Sequence, residues 1–332
     1  MNARIEQATP TTLTRGFRIG HYLLRRLLQQ GGMSSVYLAY DEYTYTTVAI
    51  KIIDVQTNSC STFSTKSERL TQFRREVQMM RCLEHDHILP ILGAGRQGEY
   101  AYIVTPYISG GTLKDRLEQG PLAPEEARDI FGQLAVALKY MHTCGILHRD
   151  IKPANIFLDE NGFLYLADFG IASYIGESAI ERNRRVMGTP TYMAPELCYG
   201  HASVSSDIYA LGILLYQMLT GHVPFEGTDS CDVCLRQIEE QPLHPSYLNP
   251  TISRAVEQVI LYTLDKDVTQ RFATIAAFAE AYEQACHPAS LLGKAHALFG
   301  AVVSSLETRL QGNDDPYRSQ ADGMYNTEAM LS

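Results

Sequence analysis

Eight consecutive residues, His148-Arg149-Asp150-Ile151-Lys152-Pro153-Ala154-Asn155, set an acid, two bases and an amide side by side. Packing alone requires none of them. Upstream, Pro124 to Cys144 carries Ile130, Phe131, Leu134, Leu138 and Met141 at helical spacing, and Gly145 marks its end. Downstream, Ile156-Phe157-Leu158 and Phe163-Leu164-Tyr165-Leu166 flank Asn161-Gly162, a strong hairpin signal. With Asn161 and Gly162 as a two-residue loop, 160 pairs with 163, 159 with 164, and Asn155 lies opposite Asp168. An amide oxygen and a carboxylate about 5 Å apart suit a shared cation. Asp150 remains as a spare carboxylate on the loop feeding that edge.

Composition narrows what such a site serves. The chain has 332 residues, 45% hydrophobic and 20% charged, enough for one large or two small domains. A net charge of −9 argues against a nucleic-acid or anionic-membrane binder, which needs a basic surface. Seven cysteines, odd in number and scattered, suit a reducing cytoplasm. Cys231 and Cys234 form the one close pair and lack a second pair for zinc, so they read as ordinary thiols. No signal peptide opens the sequence, and no apolar run approaches the roughly 18 residues of a membrane span.

Residues 1–16 are polar and read as a flexible start. Tyr22 to Leu28, a turn with Gly31 and Gly32, and Val36 to Tyr40 read as a hairpin, with a phosphate cradle as the sharper alternative. Val48-Ala49-Ile50-Lys51-Ile52-Ile53 follows as a strand with Lys51 on the face of Ala49. A lysine in so apolar a strand needs an anion. Glu76 lies on the Leu70, Phe73, Val77, Met80 stripe of a helix from Glu68 to Leu83, which implies a helix–strand ion pair. A strand from Ala101 to Tyr107 ends the strand-rich part, and helices dominate beyond Gly111. Ser205-Ser206-Asp207 caps a helix from Ile208 to Leu219, and further helices run over Ser253 to Leu264 and Ile275 to Cys286. Residues 288–311 suggest an amphipathic helix, and 312–332 a disordered tail.

In this order the segments resemble the eukaryotic-like (Hanks-type) protein kinases, bacterial serine/threonine branch, over 17–287. The resemblance implies an α+β bilobal fold, with a strand-rich N-lobe over 17–106 and a helical C-lobe over 107–287. It implies an ATP-dependent serine/threonine protein kinase acting on Ser and Thr of proteins, with autophosphorylation through self-association. Lys51 would hold the α- and β-phosphates and Glu76 would position it. Asp150 would be the base and Lys152 would add charge at the γ-phosphate. Asn155 and Asp168 would bind Mg2+, with Mn2+ able to replace it. Leu28, Gly31, Val36, Ala49 and Phe157 would enclose the nucleotide, Pro106 and Ile108 would meet adenine through backbone, and Thr105 would take the gatekeeper position. Met80, Ile91, His148 and Phe169 would form an internal column. Glu196 and Arg271 would pair, and Asp207 would brace the catalytic loop. Lys152 together with Thr189 favours serine/threonine over tyrosine.

Several positions depart from the family pattern. Gln29 and Ser34 stand where it has glycine, which predicts weaker nucleotide binding, with a nucleotide-binding pseudokinase or scaffold as the alternative reading. Arg149 beside the catalytic aspartate implies an anionic partner. Ile180 to Met187 has no hydroxyl residue, so either Glu181 supplies a fixed charge or Ser178, Thr189 or Thr191 carries a phosphate. Thr112 and Ala154 replace glutamates that select basic substrates, and Tyr209 replaces a tryptophan.

Overall fold

The computed structural model describes residues 13–31, 34–55, 66–177 and 188–287. The chain divides into two compact units, Met1–Glu283 and Gln284–Ser332, and the architecture below belongs to the first. The expected helix over 288–311 and the tail over 312–332 lie outside the described residues.

Alternation builds the N-terminal sheet. Strands β1 (Arg18–Ile19), β2 (Tyr22–Gln30), β3 (Ser34–Asp41) and β4 (Thr47–Asp54) are antiparallel neighbours, and the chain returns later as β5 (Gly93–Gln97) and β6 (Tyr100–Pro106). The order is β1-β2-β3-β4-β6-β5. Val48, Ile50 and Ile52 of β4 are buried with Tyr37, Ala39 and Val104, which leaves Ala49 and Lys51 on the opposite face. β5 had no signal in the sequence, because Gly93 and Gly95 have low strand propensity. Its glycine is a packing requirement: a Cβ at Gly95 would lie 2.5 Å from the Tyr102 hydroxyl of the paired strand.

Between β4 and β5 runs α1 (Lys66–Cys82). It buries Arg69, Phe73, Glu76, Met79 and Met80, whereas Leu70 and Val77 of the expected stripe are only half-buried. The helix is turned so that two charged side chains face inward.

Beyond β6 come α2 (Leu113–Leu117), capped by Thr112, and α3 (Pro124–Thr143). α3 buries Ile130, Phe131, Leu134, Leu138 and Met141 and stops before Gly145, which is left-handed at φ 74°. β7 (Ile146–Leu147) leads into the charged eight-residue stretch, and β8 (Ile156–Leu158) with β9 (Leu164–Leu166) forms the hairpin. Its register corrects the expected one. Ile156 pairs with Leu166 and Leu158 with Leu164, so Asn155 meets Ala167 rather than Asp168. The cause is Asp159, whose Oδ1 accepts from Asn161 N at 2.8 Å and Phe163 N at 2.9 Å and enlarges the loop by one residue.

The remaining elements are β10 (Ser173–Tyr174), paired with β7, then α4 (Pro195–Cys198), α5 (Val204–Thr220), α6 (Ser230–Glu239), α7 (Pro245–Leu248), α8 (Arg254–Thr263) and α9 (Ile275–Cys286). α5 is buried on nearly every face, as expected of a helix apolar all round. Each of its leucines contributes about 1.5–3 kcal/mol by leaving water. It starts earlier than the sequence suggested: Ser203 is the N-cap residue, its N–H donating to Ser206 Oγ at 3.1 Å. Asp207 is therefore not the cap but a first-turn residue, and its side chain is aimed away from the helix end at His148 and Arg149. Among the described residues no helix is long and apolar enough to cross a membrane.

Candidate active site

Three charged groups meet beneath the sheet. Lys51 Nζ donates to Glu76 Oε1 at 2.7 Å and to Asp168 Oδ1 at 2.8 Å. β4 aims Lys51, α1 supplies Glu76, and Asp168 reaches in from a left-handed backbone at φ 66°. Burial works against the Lys51 ammonium, yet the two carboxylates outweigh it and raise its pKa above the ordinary lysine value. Burial raises Glu76, with Asp168 adding to it and Lys51 opposing. Burial would raise Asp168 too, but Lys51 holds it below the usual carboxylate range. One ammonium thus faces two carboxyl groups, a surplus of acid suited to a divalent cation. A cleft of about 200 Å³ lies here, lined by Ser34, Lys51, Glu76, Asp150 and Asp168 among others.

The charged stretch from His148 to Asn155 is held from behind by one carboxylate. Fully buried Asp207 accepts from His148 N at 3.0 Å, Arg149 N at 2.9 Å and His142 Nε2 at 2.8 Å. Burial opposes its ionisation, but these donors keep its pKa below the ordinary value. They also pin Arg149 at φ 68°, a left-handed conformation that costs a non-glycine residue about 1–2 kcal/mol. His148 is structural: it is buried, its Nε2 donates to Ala167 O at 3.1 Å, and its ring meets Phe169 edge-on at 5.3 Å. Met80 is buried with them, and Ile91 is half-buried.

Asp150 sits at the centre of a small polar net. Its Oδ2 accepts from Lys152 Nζ at 2.5 Å and Asn155 Nδ2 at 3.0 Å, and its Oδ1 accepts from Thr189 Oγ1 at 2.9 Å. Lys152 Nζ also donates to Thr189 Oγ1 at 2.8 Å. Asn155 spends its amide N–H groups on Asp150, including the main-chain oxygen at 2.8 Å. Its side-chain oxygen is left for a cation, so Asn155 and Asp168 fit a metal pair although they do not face each other across the hairpin.

Of the residues expected around a nucleotide, Val36, Ala49 and Thr105 share the Lys51 side of the sheet, whereas Pro106 lies opposite Val48 on the other. Val36 pairs with Lys51, Ala49 with Thr105, and Val48 with Pro106. Val36, Ala49, Thr105, Pro106, Ile108 and Phe157 are all half-buried. Leu28 falls at a break in the β2–β3 register, where a bulge redirects the strand. Gly31 N donates to Ser34 O at 2.8 Å and closes the turn. Farther out, Glu196 and Arg271 form a two-pronged pair at 2.9 and 3.0 Å, and Arg271 lies 4.7 Å over the Tyr209 ring.

Some participants escaped sequence reasoning. Gln237 on α6 donates to Pro190 O and Thr191 O and accepts from Tyr209. Arg75 pairs with Glu177, and Gln72 Nε2 donates to Gly170 O at 3.0 Å. Ser178 and Glu181 lie outside the described residues.

The protein kinase domain family matches residues 22–284. The chain belongs to the protein kinase family. It is 37% identical over 257 residues to the serine/threonine-protein kinase PrkC of Bacillus subtilis, covering 77% of this chain and 39% of the relative. It is 35% identical over 262 residues to the serine/threonine-protein kinase PknB of Mycobacterium leprae, covering 77% of this chain and 41% of that one. The PknB of Mycobacterium tuberculosis is 33% identical over 276 residues, 81% of this chain and 42% of the relative. The chain therefore spans about two fifths of the length of these relatives. Kinases of this family use ATP and a divalent metal ion, and the strand-rich first part and helical second part accord with the bilobal kinase fold.

Proposed function

We propose that this chain is a serine/threonine protein kinase that moves the γ-phosphoryl group of ATP to Ser and Thr hydroxyls of proteins. The observation that carries the reading is the net on Asp150: a carboxylate beside Lys152 and Thr189, in one cleft with Lys51, Glu76 and Asp168. Phosphoryl transfer has a loose transition state, so catalysis is chiefly positioning and charge neutralisation. Lys51, kept charged and held by Glu76, orients the α- and β-phosphates. Asp150 accepts the proton of the incoming hydroxyl, and Lys152 places positive charge at the group in flight. Asn155 and Asp168 would hold Mg2+, which screens the phosphate charge. Thr189 occupies the substrate side of Asp150 through its hydroxyl, so a phosphate there would set a dianion against that carboxylate; Thr191 and Ser178 are the better acceptors in that segment. This chemistry puts the domain in the ATP-rich cytoplasm, with protein substrates and a second copy of the chain as partners during autophosphorylation.

A nucleotide-binding scaffold is the rival, favoured by Gln29 and Ser34 at the phosphate turn. Transfer of labelled γ-phosphate to a generic protein acceptor separates the two. Wild type should label it, and Asp150→Asn and Lys51→Met should each lose at least about a hundredfold in rate. Equal labelling by all three would reject the enzyme.

A further inference from the structure

An arginine of α1 pairs with an acid just beyond Asp168-Phe169-Gly170, and the charge of a second arginine is supported by the same acid. Arg75 belongs to α1 and immediately precedes Glu76, and its Nη2 donates to Glu177 Oε2. The same oxygen accepts from Tyr174 N at 3.3 Å. Tyr174 pairs with Ile146 of β7, the strand that feeds the catalytic stretch. The guanidinium of Arg149, two residues past that strand, donates through Nη1 to Ile171 O at 3.3 Å, and its Nε has no partner among the described residues. Burial disfavours its charge, Glu177 and Asp207 support it, and Arg75 opposes it. Asp207 supports it most but is shared among three hydrogen-bond donors; Glu177 is the second carboxylate acting on Arg149. Arg75 and Glu177 are mostly buried, with side-chain exposures of 34% and 16%, so water screens them weakly.

We propose that Glu177 is a built-in anion that holds α1 in its productive position, doing by sequence what a phosphate on the activation segment would otherwise do. The proposal rests on the kinase reading and refines the expectation for Glu181, four residues later. Glu177 acts through Arg75 on the next residue, Glu76, and so on the aim of Lys51. It touches neither nucleotide nor acceptor and is a positioning residue. Removing its charge leaves Arg75 without the acid it donates to and Arg149 with less support against the repulsion of Arg75. α1 then moves away and the Lys51–Glu76 pair opens. Gln72 Nε2, bonded to Gly170 O, also ties α1 to this segment, and it carries no charge.

The test uses the full chain, treated with phosphatase and shown by intact mass to carry no phosphate. Phosphate-free wild type should keep its kcat within about twofold, and Glu177→Gln should lose about tenfold or more with the KM for the protein acceptor unchanged. Glu177→Asp should regain most of the loss, and so should the exchange Arg75→Glu with Glu177→Arg. In a Glu76→Gln background, Glu177→Gln should cost less than about twofold further, because both act through Lys51. Wild type that is inactive until it phosphorylates itself, Glu177→Gln as fast as wild type, or losses that multiply in the Glu76→Gln background would each overturn the proposal. Wild type that transfers no phosphate in any state would instead reject the kinase reading itself.

Discussion

Gln29 and Ser34 put side chains where glycine would let backbone N–H groups close on phosphate oxygens. Both stand in paired strands, Gln29 against Val36 and Ser34 against Ile53, so the cost is one of approach rather than disorder. Replacing both by glycine should lower the KM for ATP about threefold or more, at about 0.5–1 kcal/mol of stability for each glycine added to a strand. Initial rates at varied ATP give the answer, and an unchanged or higher KM refutes the account. Single residues also show where the sequence was readable. Lys51 and Glu76 announced themselves, because a charge on an apolar face demands a partner. Asp159 did not: its carboxylate satisfies two N–H groups of its own loop and shifts every downstream pair by one. Glu177 was illegible for a different reason, its partner Arg75 being 102 positions away.

Among elements, α5 and the loop it braces carry the clearest stability prediction. Asparagine at 207 can accept at most through one oxygen, which leaves a buried donor among His148 N, Arg149 N and His142 unpaired. Asp207→Asn should cost about 2–4 kcal/mol and slow kcat, since the bonds from His148 N and Arg149 N to this carboxylate hold the left-handed turn at Arg149. The pH dependence has a definite sign. Asp207 has a folded pKa below its unfolded value, so its contribution is complete above the unfolded pKa of about 3.9 and fades as pH falls through the folded value. The gap in Tm between wild type and Asp207→Asn should be constant from neutral pH to about 4 and narrow below it. A gap that widens with acid would contradict the assignment. At this scale helices were easy to read and their facing was not. The apolar period located α1, α3, α8 and α9, but it cannot register that α1 buries Arg69 and Glu76 in preference to Leu70 and Val77.

For the molecule as a whole, the pair between Glu196 and Arg271 joins positions 75 apart. The Arg271 side chain is fully buried and that of Glu196 is 12% exposed. Removing the arginine strands a carboxylate, so Arg271→Ala should destabilise by about 3–5 kcal/mol. Urea midpoints compared at unchanged slope would measure it, and a loss below about 1 kcal/mol would mean that solvent reaches Glu196 after all. Such long-range ties were legible only through the resemblance of the motifs, since periodicity and turn chemistry are local. One short stretch concentrates them. Ser206 Oγ donates to Glu196, Asp207 holds the catalytic stretch, and Tyr209 bonds Gln237, which grips Pro190 and Thr191. Three residues near the start of α5 thus set three separate loops at once. A screen for heat-sensitive alleles should draw heavily from this turn, and their suppressors should be scarce, because no single second change can realign all three.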